Sequence, residues 1–527
     1  MLIAFDSSHY VHAKESPRRL WDLFHESGTS GAEDDPEWVL RTRNTAIVKR
    51  MIAEANPDAM HLPMSLKSGD QAEFTRFVFA LKRPVFGAVF YNSPEVVSGC
   101  DYVEVEPDGS LHLVDISAAT SVQEHHLNRL AFAWWGAQKA GYRVAGASVL
   151  HIDSKKEPSC ITKPEDWLEK TEVSKEVYPL VGAVEQDVKT YLEAVRQPTP
   201  PDLSLDIIGK MSREELMKWY PNLLRPDSPF CLLKVSRAKA IAWARESMDI
   251  MSLPEEQLSV PQRRQREAMR NGGVSEMGSL RGFLDRLEFP VVFYDFETVT
   301  SAIPTLPNTR PYEQMPYLGV TTRIESPGAR PQTSHVLVMP GEGDPRKAML
   351  EGLRPHFEGA KSTVAYSQSF EHHVLRRCAE AHPDHEDWVA GVIERAVDLH
   401  EPFQKGYVYF ESQQGRTSLK VTAKVLLGED PYEGMPVRNG SVAMAEYLEA
   451  ADAKAAGMDI KGRLDQLVDY CRVDVEIMPK MVEKLEGLAM VPSRFAQPGL
   501  GVEMVESLGD GMRQQEAESG HTQTLGK

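Results

Sequence analysis

Cysteine is scarce in this chain. Its 527 residues hold five (Cys100, Cys160, Cys231, Cys378 and Cys471), and no two form a CxxC pair. That argues against a zinc ribbon or a compact cluster site. Scattered thiols in a long chain fit a reducing compartment, each expected to pack as a small buried hydrophobe. Long apolar runs are missing too. No stretch approaches the roughly 20 residues a membrane span needs, so no membrane partner is expected. The opening Met1-Leu2-Ile3-Ala4-Phe5-Asp6 lacks a basic region followed by an apolar core, so no secretory signal is expected and the location reads as cytoplasmic. There is no internal repeat and no low-complexity tract. Excess positive charge is also lacking: 59 Lys and Arg against 77 Asp and Glu leave a net charge of −18. This excludes a globally basic polyanion binder but leaves room for a local groove. Part of the acidity would be used if carboxylates hold divalent ions.

What is present suggests two or three units. Residues 1–195 mix helical and strand patterns, and Gln197-Pro198-Thr199-Pro200-Pro201-Asp202 reads as a linker because its prolines break both ladder types. A helical connecting region follows at 203–285, with Arg263, Arg264, Arg266 and Arg270 on a solvated face or a phosphate contact. A third unit spans 286–490, and 497–527, rich in Gly, Glu and Gln, reads as a flexible tail.

Three acidic elements stand out in the third unit. Asp295-Phe296-Glu297 ends the apolar run Val291-Val292-Phe293-Tyr294, a buried strand by its pattern. Strand residues i and i+2 share a face, so the two carboxylates project together and repel unless a cation lies between them. In Thr363-Val364-Ala365-Tyr366-Ser367-Gln368-Ser369-Phe370-Glu371, a strand turns into a helix with Glu371 near its start, where the helix dipole alone would favour an acid. Tyr470 and Asp474 stand one helical turn apart in Leu467-Val468-Asp469-Tyr470-Cys471-Arg472-Val473-Asp474. Four carboxylates are the hard ligands that two divalent ions need to stabilise attack on a phosphodiester. Tyr470 would orient or help deprotonate the attacking water.

This order of motifs resembles the DnaQ-like DEDDy 3′→5′ exonucleases, relatives of ribonuclease D and of proofreading domains, over roughly Phe289 to Leu485. The resemblance implies an α/β fold of the ribonuclease H-like kind, a mixed sheet with flanking helices. It also implies two Mg²⁺ or Mn²⁺ ions on Asp295, Glu297, Glu371 and Asp474, with Asp295, Glu297 and Tyr470 as the catalytic set. A nucleic acid, held as a single strand or by its 3′ end, would be the partner. Two positions depart from the pattern: Ser367 stands where Asn is usual, and Glu371 where Asp is usual. Asp398-Leu399-His400 and Thr417-Ser418-Leu419-Lys420 are similar to the strand and helix that separate the later motifs in such folds. Thr298, Phe370, Arg310 and Tyr312 are candidate substrate contacts. The arginine and aromatics of the 302–317 loop could touch a phosphate and stack a base, or simply pack.

In the first unit, Gly99 to Val105 and Leu111 to Ser117 read as a hairpin turning at Pro107-Asp108-Gly109, followed by a helix with Leu127, Leu130, Ala131, Trp134 and Trp135. This resembles the α/β core of RecB-like PD-(D/E)XK nucleases. Asp101 and Asp115 match their two acids, but Ser117 occupies the lysine position and cannot supply its charge. Some of that group carry an iron–sulfur cluster; Ser16 stands where a first cysteine is frequent, and no cluster is expected. The resemblance implies a degenerate nuclease domain, retained for DNA binding or docking. Both units together are similar to an uncharacterised bacterial family classed as a domain of unknown function. The adjacent pairs His125-His126 and His372-His373 point about 100° apart on a helix and are expected to be surface residues.

Three readings fit these residues. One is a metal-dependent 3′→5′ exonuclease on DNA or RNA. Another is a catalytically inactive nucleic-acid-binding or partner-docking module. The third is a single-strand endonuclease sharing the same metal site.

Overall fold

Strand-forming stretches on either side of the proline-rich segment at 197–202 assemble into two separate mixed sheets, flanked by helices, which makes the chain α/β. The computed structural model describes residues 4–25, 35–63, 65–66, 68–93 and 95–496, so the tail expected at 497–527 lies outside it. No helix among the described residues is long and apolar enough to cross a membrane.

The N-terminal sheet holds β1 (Met60–His61), β2 (Val85–Asn92), β3 (Val97–Val105), β4 (Leu111–Ile116), β5 (Val144–Ile152) and β6 (Leu168–Glu172), in that order across the sheet. β3 and β4 form the expected hairpin, with Tyr102 opposite Val114. Gly109 supplies the positive φ (82°) its turn requires. β4 and β5 run parallel, which demands a crossover, and the helix Glu124–Lys139 provides it. That helix buries Leu130, Ala131, Trp134 and Trp135 against the sheet. His126 is buried in it as well, not on the surface. Its ring accepts from the Gln123 N–H at 3.0 Å and lies 3.1 Å from Ser117 Oγ. Burial, with the charges of His125 and Arg129 beside it, pushes its pKa down to about 3.

Short helices between 205 and 284 close over a core of their own, including Leu216, Phe230 and Trp243. Three of the four arginines of the basic run serve packing, while Arg270 is exposed. Arg266 is buried and donates to the Leu253 carbonyl at 2.7 Å, Arg263 donates to the Leu258 carbonyl at 2.8 Å, and Arg264 pairs with Glu276 at 3.2 Å.

The C-terminal sheet runs β11-β10-β7-β8-β9, built from β7 (Val291–Val299), β8 (Met315–Ile324), β9 (Gln332–Leu337), β10 (Ser362–Ala365) and β11 (Ala396–Asp398). β7, β8 and β9 pair antiparallel, while β10 and β11 continue parallel to β7. The period of two in β7 divides its side chains between two cores. Val291 and Phe293 join Leu467, Val475 and Met478 of the 28-residue helix Lys461–Leu488. Val292, Tyr294 and Phe296 join Met349, Leu353, Val374 and Leu375 on the opposite face. Each fully buried chain of this size contributes roughly 1.5–3 kcal/mol, so the direction in which each β7 residue points is strongly determined. His372 is buried on this side, again not at the surface. Of the five cysteines, Cys231, Cys378 and Cys471 are buried as expected, but Cys160 is exposed.

Candidate active site

β7 supplies the first two acids. Asp295 and Glu297 share the face turned toward the helix Lys461–Leu488, whose Cys471 Sγ lies 3.5 Å from Asp295 Oδ2. Ligand atoms of Asp295, Glu297 and Cys471 all lie within 4.8 Å of one another. One turn along that helix, Asp474 accepts a hydrogen bond from the Tyr432 hydroxyl, and the Tyr470 phenol acts on the same carboxylate. Glu371 arrives from the first turn of the helix Ser369–Ala381, which follows β10. There the charge of Asp295 acts on it. Four acids from three separate segments therefore act on one another, with Asp295 and Glu297 the two whose ligand atoms lie within 4.8 Å of each other and of Cys471.

Their electrostatics are those of a site short of positive charge. Glu297, Glu371 and Asp474 are 7%, 3% and 5% exposed, so water screens them little. Burial first, and then the charge of Asp474, pushes the Asp295 carboxyl up to about 8. Glu297 and Glu371 rise well above the usual carboxylate range, through burial and then the charge of Asp295. Burial also raises Asp474. Glu371 Oε2 is buried with no hydrogen-bond partner. Buried acids with raised pKa values and an orphaned oxygen form a donor set that a hard divalent cation would complete.

The backbone before Glu371 has its own specialisation. Ser367 adopts a left-handed φ of 64°, a conformation Asn tolerates better than Ser. Asp398 holds it by accepting from the Ser367 N–H at 2.9 Å, while Ser367 Oγ lies 2.9 Å from His400 Nδ1. The serine keeps the turn by these contacts, so Glu371 still reaches the cluster.

Lys420, Tyr432 and Cys471 complete the site and were not singled out from sequence. Lys420, in the first turn of the helix Leu419–Leu427, donates to Tyr470 Oη at 2.8 Å. Its Nζ lies 4.5 Å from the Tyr432 ring centroid and 4.3 Å from that of Tyr470. Burial lowers the Lys420 pKa, opposed by the charges of Asp474, Glu297 and Asp295. The segment Thr417-Ser418-Leu419-Lys420 was a visible signal, but it read only as a connection between motifs.

Of the four candidate substrate contacts, two are turned away from the acids. Arg310 donates to the Lys156 carbonyl at 3.1 Å and pairs with Glu157 at 2.8 Å, and Tyr312 donates to the Ala118 carbonyl. All three partners belong to the N-terminal half, and Ala302, Ile303 and Tyr312 pack there against Val48, Ile52, Tyr102 and Ile116. The 302–312 loop is a strap between the two halves, because its apolar and aromatic residues find a better burial there than a solvent-facing groove offers. Thr298 is buried with its hydroxyl bonded to Gln314 at 2.5 Å. Phe370 stays 37% exposed beside Glu371 and remains the one aromatic of this set able to meet a ligand.

In the N-terminal half, Asp101 and Asp115 do come together at the hairpin, lining one cavity with Asp6 and Arg129. Ser117 accepts from the Ala119 N–H at 3.1 Å and lies beside His126. Both acids have cationic partners: Lys49 of the helix Pro36–Ala55 pairs with Asp101 at 2.7 Å, and Arg129 with Asp115 at 3.0 Å. Burial still pushes the Asp115 carboxyl up to about 7. No i+2 spacing could have revealed Lys49, which reaches the sheet from a distant helix.

A family model described as a domain of unknown function (DUF2779) matches residues 292–418. That span takes in Asp295, Glu297 and Glu371 and stops short of Lys420, Tyr470 and Asp474. No curated protein and no solved structure matches the chain.

Proposed function

We propose that the C-terminal half is a metal-dependent 3′→5′ exonuclease that hydrolyses phosphodiester bonds of DNA or RNA. The observation that carries this reading is the convergence of Asp295, Glu297, Glu371 and Asp474, with Tyr470, from segments up to 179 residues apart in sequence into one cluster, buried except for part of Asp295, with too little positive charge. The 3′→5′ polarity comes from the resemblance to the DEDDy exonucleases.

The four carboxylates would hold two Mg²⁺ or Mn²⁺ ions, and those ions would supply the charge that activates water and offsets the charge on the leaving oxygen. Tyr470 has a narrower part than general base. Burial and the surrounding acids hold its phenol far above the ordinary tyrosine range, so it keeps its proton and orients water as a hydrogen-bond partner. Tyr432 fixes the Asp474 carboxylate through its hydroxyl. Exclusion of bulk water from Glu297, Glu371 and Asp474 strengthens each of these interactions.

For the N-terminal half we favour a docking or binding role. Its two acids already have ionic partners in Lys49 and Arg129, whereas no Lys or Arg forms an ion pair with Asp295, Glu297 or Glu371 among the described residues. The whole reading is tested with end-labelled single strands of DNA and RNA in Mg²⁺ or Mn²⁺, beside an Asp295→Ala variant. Stepwise shortening from the 3′ end, lost in the variant, is the expected result. Strand binding without cleavage in any metal would make the C-terminal half a binding module instead.

A further inference from the structure

Lysine carries three N–H donors and no acceptor. In Lys420 one of them goes to Tyr470 Oη at 2.8 Å and a second to the Arg438 carbonyl. Among the described residues the third has no acceptor, although the ammonium is flanked by the faces of Tyr432 and Tyr470 and acts on Asp295, Glu297 and Asp474. Lys420 and Asp295 are partly exposed, while Glu297, Asp474 and Tyr470 are buried, so this side of the cluster is where a strand can approach.

The charge balance gives that donor a task. Four ionised carboxylates balance two divalent ions, which leaves the ammonium of Lys420 as the net charge of the loaded site. A phosphodiester brings one negative charge and gains more as water attacks. A donor fixed by a phenol, a carbonyl and two rings meets that charge without reorganising, which is the condition for large electrostatic stabilisation.

We propose that Lys420 is a further catalytic residue, whose free N–H binds a non-bridging oxygen of the scissile phosphate; this rests on the exonuclease reading above. In the step, the water oxygen bonds to phosphorus and its proton passes to solvent, the bond from phosphorus to the bridging oxygen breaks, and that oxygen leaves with the electron pair and takes up a proton from solvent. Lys420 neither gives nor takes a proton. It stays cationic and holds the phosphate as charge builds.

The test uses the full chain with Lys420→Met and Lys420→Arg, and has two readouts. The first is the rate on a labelled single strand in Mg²⁺, expected to fall about 10²-fold in Lys420→Met and to recover in part in Lys420→Arg. The second is affinity for the same strand in Ca²⁺, which slows turnover, across a range of salt. Loss of one phosphate contact should reduce the slope of log affinity against log salt by about 0.7 for a single strand, with Lys420→Arg keeping the wild-type slope. A merely structural role, steadying Tyr470, would lower the rate but leave the slope where it is, and that outcome overturns the phosphate contact. Wild-type rate and slope in Lys420→Met overturn it too, while leaving the exonuclease reading intact. A wild-type protein that neither binds nor cuts any strand overturns both.

Discussion

At the scale of single residues, the four-acid cluster makes opposite demands on stability and on chemistry. The Asp295 carboxyl is pushed up to about 8 from an ordinary 3.8, so the folded state holds its proton where the unfolded chain has lost it. The stability this group contributes is complete below about 3.8 and disappears as pH rises through about 8. Metal-free protein should therefore lose melting temperature between pH 6 and pH 9, and Asp295→Asn should lose less. At pH 9 the variant is expected to melt higher, by ~2–4 °C for each kcal/mol of repulsion removed, while cleavage disappears. Mn²⁺ should raise the melting temperature of the wild type more at pH 8 than at pH 6, because deprotonated ligands bind it. A calorimetric series showing no difference between variant and wild type across this range would remove the charge repulsion on which the site argument stands. Tyr470→Phe separates positioning from ligation. It deletes one hydroxyl between Lys420 and Asp474, so turnover should fall about 10²-fold, with the Mn²⁺-induced rise in melting temperature preserved.

At the scale of elements, the readable part of the site is the part set by backbone period. Asp295 with Glu297 obeys the strand period and Tyr470 with Asp474 the helix period, so each pair could be assigned one face before any fold was known. Lys420 and Tyr432 obey neither, since each reaches Tyr470 or Asp474 from another segment. The departures at Ser367 and Glu371 were visible as letters, but not the left-handed turn that lets the longer acid still arrive. The precision of β7 depends in turn on its neighbour. Phe296 pairs with Gly319 of β8, where a Cβ would stand 2.8 Å from Met349 Sδ and 3.0 Å from the Phe296 ring. Gly319→Ala should thus cost about 1–3 kcal/mol through overpacking, read as a fall in denaturation midpoint. Phe296 sits between the two β7 acids, so displacing its ring should also lower the cleavage rate at temperatures where the variant is folded. A variant that loses stability yet cleaves normally would show that β7 tolerates the shift.

At the scale of the whole molecule, a loop expected to meet substrate instead joins the two sheets. The sequence of the 302–317 loop allowed either use, because a proline-stiffened segment with aromatics and one arginine suits a strand groove and a packed seam equally. What decides it is long-range: Ile303 and Ala302 enter an apolar cluster of the N-terminal half, and Arg310 and Tyr312 bond to backbone there. A second contact, Arg43 with Asp452 at 2.9 Å, links the helices Pro36–Ala55 and Gly440–Ala455, but both side chains are exposed and it adds little. Beyond that helix lies the site itself, since a Cβ at Gly440 would stand 3.9 Å from Glu297 Oε2. The apolar strap should therefore couple the halves more strongly than this ion pair does. Ile303→Asp places a charge where the wild-type side chain is 7% exposed, at an expected cost of about 2–4 kcal/mol. Its unfolding should split from one transition into two, and limited proteolysis should open the proline-rich segment at 197–202 first. The four acids take no ligand atom from the N-terminal half, so cleavage below the first transition should stay within severalfold of wild type. A single transition in Ile303→Asp would mean that the halves are coupled by surfaces other than this strap.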